Sequence, residues 1–384
     1  MENGPDSFFA VAAPGLEALT ALELRRLDLL PAAFIADKAA GGVAFTGGPK
    51  VLYRANLWLR TASRVLVRFG EFYASTFSEL HKKASRLPWE RYLAPGQPVA
   101  IRVTCHKSKL YHSDAVAERI ARGIAERLGR PVPHRKPGDE EAADPPQLLV
   151  VRMLNDHCEI SVDSSGELLH RRGYRQAVAK APLRETLAAA ALLASNWDAN
   201  SPLLDPFCGS GTIPIEAALM ALGLPPGRNR RFAFMSWPGF EPKNWDALLA
   251  QALPPTATAT PIIQASDRDA GAIRMAQENA ERAGVAAHVE FRCRAVSAIE
   301  PPPASRGPGW VLTNPPYGLR VSQGKDLRNL YAQLGNVLRA KCLGWQVALI
   351  CNDPVLLGQT GIQLETLLSF TNGGVSVRLS GGSL

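Results

Sequence analysis

The order of apolar and polar residues changes near residue 180 and predicts two different architectures along the chain. Before that point, Ser113–Leu128 has the periodicity of an amphipathic helix, with Ser113 as its N-cap. Two apolar runs, Leu148–Leu154 and His157–Val162, flank an Asn-Asp pair and predict a β-hairpin. Residues of about 60–165 are therefore expected to form an α+β module, preceded by a smaller unit of strand, helix and Gly-rich strand.

From Leu183 onward, short apolar runs alternate with helical patterns, beginning with a helix over Leu183–Leu193. Alternating strand and helix units predict an α/β fold with a mainly parallel sheet covered by helices on both faces. Thr371–Gly374 lies between two apolar runs and predicts a closing antiparallel hairpin. The predicted strands are Leu203–Phe207, Ile262–Ser266, Val289–Cys293, Trp310–Thr313, Gln346–Cys351, Leu364–Phe370 and Val375–Leu379.

Composition narrows the class of protein. No apolar run reaches the roughly 18 residues of a membrane span, and the N-terminus lacks the basic segment of a signal peptide, so a cytoplasmic location is expected. The 6 cysteines are scattered without a CxxC pair, and no histidine cluster has ligand spacing, so reduced thiols and no metal are expected. The sequence does not distinguish a monomer from a weak dimer.

The net charge of +8 arises mainly in the front half. Residues 1–180 contain 26 Lys and Arg against 20 Asp and Glu, a surplus of 6, and the remaining residues contain 17 against 15, a surplus of 2. A basic front half suits a polyanion such as RNA, although the same surplus also fits ordinary surface charge.

The string LLDPFCGSGTIPIEAA, at Leu203–Ala218, predicts a strand, a tight turn and a helix. Gly209 and Gly211 allow the backbone to turn sharply and to approach a ligand, and the free amides of a helix start favour an anion. No GK[ST] follows, so this is not a Walker loop, and it is not GxGxxG. A bare GxG also fits an ordinary strand-to-helix turn, but DPFCGSGT is far more specific.

About 60 residues further on, IIQASDRD places carboxylates at the end of the second predicted strand. A carboxylate there can accept hydrogen bonds from both hydroxyls of a ribose. Asp267 is the better placed and Asp269 is the second choice. Either residue could instead cap the helix that follows.

The string VLTNPPYGLR, at Val311–Arg320, ends a buried strand on two prolines and a tyrosine. The prolines stiffen the backbone, so the Asn314 side-chain oxygen and the Pro315 carbonyl can accept both hydrogens of an exocyclic amine, while Tyr317 stacks on the ring. Aiming the amine lone pair at a sulfonium methyl requires position rather than a strong base. Pro-Pro commonly forms a rigid solvent turn, but here it follows the glycine loop and Asp267 in the expected order.

These motifs resemble those of class I S-adenosylmethionine (SAM)-dependent methyltransferases that modify nucleic-acid amino groups, whose last motif is [DNS]PP[YFW]. A parallel sheet closed by an antiparallel hairpin resembles the same fold. The front half resembles a THUMP RNA-binding domain behind a small ferredoxin-like domain. The segment LHRRGYRQAVAKAPLRETLAAAALL, at Leu169–Leu193, is similar to the entry segment of THUMP-type guanine-N2 methyltransferases, and the likeness is closest to the bacterial 23S rRNA enzymes of the RlmL type.

The resemblance implies three domains, namely a ferredoxin-like unit at 1–58, a THUMP domain at 59–167 and a methyltransferase domain at 168–384. It also implies that a guanine is flipped into a pocket formed by the catalytic residues Asn314, Pro315, Pro316 and Tyr317. The implied SAM-binding residues are Lys180, Pro182, Leu183, Glu185, Asp205, Pro206, Phe207, Cys208, Gly209, Ser210, Gly211, Thr212, Asp267, Arg268 and Asn314.

One position departs from the family pattern. Related enzymes carry an acidic residue just after the third strand, which takes the adenine amine, whereas VEFRCRAVSAI has Ala295 there. Backbone groups around Ala295 and Val296 are expected to hold adenine instead, with somewhat weaker cofactor binding.

Basic residues mark the expected RNA path. Arg171, Arg172 and Arg175 lie at the domain join, which RNA must cross to reach the pocket, and Lys82, Lys83, Lys107 and Lys109 lie in the THUMP region. Trp58 and Tyr111 could stack on bases. Other residues that could track phosphates are Arg54, Arg60, Arg64, Arg68 and Arg86, of which Arg60, Arg64 and Arg68 also fit a solvated helix face.

The resemblance implies SAM-dependent methylation of a guanosine N2 amine in RNA, with 23S rRNA as the expected substrate. The nearest alternative is the same chemistry on tRNA. Adenine-N6 DNA and glutamine methyltransferases share the NPPY motif, but the RNA-type front half argues against both. A non-catalytic RNA-binding factor for ribosome assembly is the alternative of another class, and Ala295 is its support.

Overall fold

The structure is a computed structural model that describes residues 5–31, 41–135, 145–176, 183–252, 261–302, 308–317, 326–372 and 374–384. It contains two seven-stranded sheets, one in each half of the chain. The predicted change from an α+β front half to an α/β back half is therefore confirmed.

The front sheet is mixed. Its strands are β1 (Asp6–Ala12), β2 (Gly42–Gly47), β3 (Ala62–Tyr73), β4 (Val99–His106), β5 (His134–Arg135), β6 (Gln147–Leu154) and β7 (His157–Asp163). They lie in the order β2-β1-β3-β7-β6-β4-β5, and only the contacts of β4 with β5 and β6 are parallel among these described strands. Because β1 pairs with β3, the sheet continues across the predicted domain boundary at residues 58 and 59.

The helices of the front half are α1 (Glu17–Arg26), α2 (Pro49–Trp58), α3 (Phe77–Ala84) and α4 (Ser113–Leu128). The predicted β6–β7 hairpin is confirmed, and its two turn residues, Asn155 and Asp156, both have positive φ, 50° and 63°, as a two-residue hairpin turn of the primed type requires. The prediction that Ser113 caps α4 was wrong, because the N-cap is His112 and Ser113 is already helical.

The back sheet is mainly parallel. Its strands are β8 (Leu203–Asp205), β9 (Ile263–Asp267), β10 (Glu290–Cys293), β11 (Trp310–Thr313), β12 (Gln346–Cys351), β13 (Glu365–Asn372) and β14 (Val375–Ser383). They lie in the order β10-β9-β8-β11-β12-β14-β13. The first five are parallel, and β14 runs antiparallel to both of its neighbours, which confirms the predicted closing hairpin.

The helices of the back half are α5 (Glu185–Ala194), α6 (Thr212–Ala221), α7 (Pro242–Ala252), α8 (Ala270–Arg282), α9 (Arg328–Lys341) and α10 (Pro354–Gln359). The segment before α7 returns to the front half: the Phe234 ring stacks on Tyr53 at 4.5 Å between centroids, and the Trp237 indole donates a hydrogen bond to Gln147 at 2.8 Å. These aromatic residues extend the front core, so the two halves pack directly against each other.

The carboxyl ends of β8, β9 and β11 lie side by side at one edge of the back sheet. In open α/β sheets, ligands bind in the crevice outside this edge. Within the ranges that the structure describes, no helix is both long and apolar enough to cross a membrane.

Candidate active site

The turn after β8 allows a ligand to approach the backbone closely. Gly209 and Gly211 have φ of 51° and 85°, values that residues with a Cβ rarely adopt. A Cβ on Gly211 would also meet Ala276 of α8 at 3.0 Å. Gly211 is the N-cap of α6, and no described side chain caps this helix, so its first N–H groups can face an anion.

The two candidate ribose carboxylates have different partners. Asp267 accepts hydrogen bonds from the backbone N–H of Gly209 at 3.1 Å and of Asp269 at 3.0 Å, which ties the end of β9 to the glycine turn. Asp269 caps α8 through the N–H groups of Gly271 and Ala272. Asp269 therefore has the capping role, and Asp267 is the carboxylate that faces the glycine turn.

Asp205 ends β8 with a buried carboxyl that no cation approaches among the described residues. Its Oδ1 accepts hydrogen bonds from the Thr313 hydroxyl at 2.6 Å and from the Phe207 N–H at 3.2 Å. Burial raises the pKa of Asp205 to about 7, the charge of Asp267 adds to the rise, and the two donors oppose it. The environment of Asp205 therefore favours the protonated carboxyl more than an exposed position would.

Asn314 directly follows β11, at the same edge of the sheet. Its Oδ1 is buried, and no described residue donates a hydrogen bond to it. The next residue, Pro315, is buried, and Pro316 and Tyr317 are half-buried. The predicted proline turn therefore lies beside the predicted cofactor loop rather than in a remote solvent loop.

Two side chains outside the proline turn hold it in place through hydrogen bonds. The hydroxyl of Tyr331, a fully buried residue of α9, donates to the Pro316 carbonyl at 3.3 Å. The hydroxyl of Tyr317 is hydrogen-bonded to the side chain of Asn372 at the end of β13, and burial raises the pKa of Tyr317. The tyrosine ring is therefore anchored at its tip and packed along part of its length.

Three buried side-chain oxygens at this edge have no hydrogen-bond partner among the described residues: Asp205 Oδ2, Ser266 Oγ and Asn314 Oδ1. Ser266 lies near the end of β9, Asp205 ends β8 and Asn314 directly follows β11, and these three strands are adjacent in that order. Buried polar atoms are nearly always paired, so this group of oxygens indicates a site for a polar ligand. SAM fits these acceptors, because it carries an ammonium group, ribose hydroxyls and an adenine amine.

The implied SAM-binding residues around the start of α5 are described only in part. Lys180 and Pro182 lie outside the described residues. Arg175 donates to the Leu183 carbonyl at 2.8 Å and pairs with Glu185 at 2.9 Å, so it holds the start of α5. Burial raises the pKa of Glu185 to about 7. Arg175 thus has a structural role among the described residues, and RNA binding by this half-buried side chain stays a prediction.

Arg172 also has a structural role, contrary to the prediction. It is 4% exposed, it donates to the Arg60 carbonyl at 2.6 Å, and its Nε lies 3.7 Å from Glu216 on α6. Arg60 in turn donates to the Leu224 carbonyl at 2.6 Å, and the Tyr174 hydroxyl is hydrogen-bonded to Glu216 at 3.0 Å. We call Arg60, Arg172, Tyr174 and Glu216 the interdomain network.

The alternative that Arg60, Arg64 and Arg68 form a solvated helix face was also wrong. Arg64 and Arg68 lie on β3, and Arg60 lies just before it. Arg60 and Arg64 are buried, and Arg64 pairs with Asp163. Positive charges in the sequence do not all reach the surface here, because several bind carbonyls and carboxylates inside the protein.

The remaining basic candidates reach solvent. Lys82, Lys107, Lys109 and Arg171 are exposed, and the half-buried Lys83 donates to the Tyr73 carbonyl at 2.6 Å. Tyr111 is exposed, and Trp58 packs against the front core. Arg268 and Ala295 are exposed beside the crevice, and the Arg294 N–H donates to the Asp267 carbonyl at 2.9 Å.

Four residues at the site were not recognised from the sequence: Ser266, Thr313, Tyr331 and Asn372. Ser266 and Thr313 each stand one residue before a predicted ligand, so a polar residue in an otherwise apolar strand was the available signal. Tyr331 and Asn372 come to the turn from α9 and β13, and no local pattern linked them to it.

The strand order, the glycine turn and the carboxylate at the end of β9 define the class I methyltransferases, for which SAM is the cofactor. The back half, residues 172–361, matches the model described as RMKL-like, methyltransferase domain. Residues 7–66 match the RlmL ferredoxin-like domain, and residues 74–163 match the THUMP domain.

Curated relatives agree with these matches. The ribosomal RNA large subunit methyltransferase K/L of Syntrophotalea carbinolica is 37% identical over 98% of this chain and 53% of its own length. A protein of Synechocystis sp. named as an RNA methyltransferase is 34% identical over 97% of this chain and 95% of its own length. The chain thus spans about half the length of the K/L relatives that it matches.

Solved structures support the same assignment. The crystal structure of SMU.472 complexed with SAH has a TM-score of 0.84 and 30% identity, covering 99% of this chain and 98% of that one. The chain therefore belongs to the RMKL-like methyltransferase family with RlmL-type ferredoxin-like and THUMP domains.

Proposed function

We propose that this protein transfers the methyl group of SAM to the N2 amine of a guanosine in RNA, and that the RNA is 23S rRNA. Its family, its THUMP domain and the names of its K/L relatives support RNA as the substrate. The guanine-N2 specificity rests on the resemblance of its motifs to guanine-N2 enzymes. We also propose a cytoplasmic location for the protein, which would fit an rRNA substrate.

We propose that the cofactor lies along the ends of β8 and β9. Bound SAM would supply an electrophilic methyl group on a sulfonium. The Asp205 Oδ2 atom would accept a hydrogen bond from the ammonium group, and Asp267 would accept the ribose hydroxyls. The further binding residues would be Lys180, Pro182, Leu183, Glu185, Pro206, Phe207, Cys208, Gly209, Ser210, Gly211, Thr212, Ser266, Arg268 and Asn314.

The proline turn would hold the base. Asn314 Oδ1, buried and without a described partner, and the Pro315 carbonyl would accept the two hydrogens of the amine. Tyr331 binds the carbonyl of Pro316 and therefore does not compete for that of Pro315. Tyr317, anchored by Asn372, would stack on the ring. Position and polarisation of the amine would supply the catalysis.

No strong base is needed in this mechanism. The lone pair of an exocyclic amine is shared with the aromatic ring, so the amine is a weak nucleophile until two acceptors fix its orientation. Positive charge develops on the nitrogen as the carbon–nitrogen bond forms, and the Asn314 and Pro315 oxygens would stabilise it. The nitrogen then becomes acidic and can release its proton to water.

We propose that RNA approaches from the front half. The exposed Lys82, Lys107, Lys109 and Arg171, together with Lys83, would contact phosphates, and Tyr111 would stack on a base. The proposed division into 1–58, 59–167 and 168–384 is supported by three family matches in the same order, at 7–66, 74–163 and 172–361, of which the first runs past the proposed boundary at residue 58. The continuous front sheet joins the first two of these units.

The observation that carries the proposal is the buried Asn314 Oδ1, which has no hydrogen-bond partner among the described residues and lies at the same sheet edge as the glycine turn and Asp267. We expect Asn314→Ala to lower turnover by about 10²–10³-fold, with SAM affinity changed by less than about threefold. Tritium transfer from SAM to purified rRNA and tRNA measures turnover, nucleoside mass spectrometry identifies the product, and calorimetry measures SAM binding. Asn336→Ala, an exposed asparagine of α9, is the matched control.

The outcomes separate the alternatives. Full turnover in Asn314→Ala would end the proposed mechanism. N2-methylguanosine in tRNA but not in rRNA would assign the tRNA reaction, and N6-methyladenosine would assign an adenine enzyme. SAM binding without transfer to any RNA, including ribosomal precursor particles, would support the assembly factor.

A further inference from the structure

The strands β8 and β11 separate where the crevice opens. Their backbone pairing extends to Val311 with Leu204, whereas β11 stays paired with β12 as far as Thr313. Beyond Val311, the Thr313 hydroxyl donates to the Asp205 carboxylate at 2.6 Å. This side-chain hydrogen bond therefore connects the two strands at the mouth of the crevice.

Thr313 is fully buried in a short strand whose other interior residues are apolar. A valine has nearly the same shape and suits a buried strand well. A buried hydroxyl costs free energy unless it is hydrogen-bonded. What threonine adds at this position is thus its bond to Asp205, which a valine cannot make.

We propose that Thr313 is a positioning residue that couples the cofactor side of the site to the amine-binding turn. This inference rests on the proposed function. Thr313 immediately precedes Asn314, so the bond that holds Thr313 also holds the start of the turn relative to Asp205. Because Thr313 and the Phe207 N–H occupy Oδ1 of Asp205, Oδ2 is left for the cofactor.

The same bond controls the charge of Asp205. The titratable groups that face this carboxyl are Asp267 at the end of β9 and Cys208 in the glycine turn. Burial and Asp267 raise the pKa of Asp205, and the Thr313 hydroxyl lowers it by stabilising the carboxylate. Loss of the hydroxyl raises the pKa further, so less of Asp205 is ionised at neutral pH and the cofactor ammonium is held less tightly.

The experiment compares Thr313→Val with Thr313→Ser in the full chain. SAM affinity is measured by calorimetry from pH 6 to 9, and kcat and KM are measured with rRNA at saturating SAM. For Thr313→Val, we expect the pH at which SAM affinity reaches half its maximum to rise by about one unit and kcat to fall about tenfold. We expect the KM for RNA to stay unchanged and Thr313→Ser to restore both wild-type values.

A purely structural role would not move the pH midpoint. Thr360→Val, which removes another fully buried hydroxyl from the catalytic domain, is the control for loss of stability and should leave the midpoint and kcat unchanged. If Thr313→Val does not fold, Thr313→Ala is expected to show the same shift.

A wild-type midpoint and kcat in the hydroxyl-free variant would overturn the coupling, whatever the RNA substrate proves to be. A wild-type protein that binds SAM but methylates no RNA would instead refute the proposed function, because the pH midpoint is measured without RNA.

Discussion

The catalytic edge of the back sheet and the interdomain network are both buried and polar, but they differ in the cations that lie near their carboxylates. In the interdomain network, Arg60 and Arg172 lie 3.9 and 3.7 Å from Glu216, and the Tyr174 hydroxyl donates to its Oε1. Glu216 Oε2 has no hydrogen-bond partner among the described residues, but it faces the Arg60 guanidinium. At the catalytic edge, no described cation pairs with Asp205, and three buried oxygens lack partners among the described residues.

This difference distinguishes the buried polar groups that stabilise the fold from those that are available to bind a ligand. A buried carboxylate with two cations within 4 Å favours a fixed arrangement of the two halves, because removing a cation would leave the charge uncompensated. A buried acceptor without a partner costs free energy in the isolated protein, and a ligand that donates to it recovers that cost. The same reasoning gives Arg172, which is buried beside Glu216, a structural role.

The largest expected effect comes from breaking the interdomain network. Arg172→Met leaves Glu216 buried with Arg60 as the remaining cation within 4 Å among the described residues, and we expect the free energy of unfolding to fall by about 3–5 kcal/mol. Urea denaturation measures it. Arg171→Met, the same change at the exposed neighbouring residue, should cost less than about 1 kcal/mol. Equal losses in the two variants would show that the network is not the stabilising element.

The second expected effect separates two carboxylates that stand two residues apart. Asp267→Ala should weaken SAM binding about 10- to 100-fold, because the hydrogen bonds from the ligand to a charged carboxylate are lost. Asp269→Ala should leave SAM affinity within about threefold and lower the stability of the fold by about 1 kcal/mol, as loss of a helix cap does. Calorimetry and urea denaturation measure the two quantities, and reversed results would exchange the assigned roles.

The smallest expected effect concerns the exposed Ala295 beside the crevice. Ala295→Asp would supply the acidic side chain that the family resemblance implies at this position, and we expect SAM affinity to rise about three- to tenfold. The exposed neighbour Ser297→Asp is a control that adds the same charge outside the adenine position. Identical affinities of the native protein and Ala295→Asp would argue that backbone groups already satisfy the adenine.

The sequence alone was enough for the features that depend on neighbouring residues. The strand-turn-helix at Gly209–Thr212, the hairpin at Asn155-Asp156 and the strand that ends before Asn314 each follow from short-range backbone preferences and from the period of apolar residues. Parallel strands bring their carboxyl ends to one edge, so the glycine turn and the Asn314 turn were also expected to meet. The seven-stranded sheet with its closing hairpin followed from the same patterns.

Tertiary structure alone decided the features that depend on partners far apart in the chain. Arginine is equally suited to bind an RNA phosphate or a buried carbonyl, and only packing shows that Arg172 reaches Arg60 while Arg171 reaches solvent. Tyr331, Asn372 and Thr313 join the site through contacts over 15 to 108 residues of sequence. The physical reason is that a local pattern determines which face of an element is apolar, whereas burial and hydrogen bonding depend on what the fold places against that face.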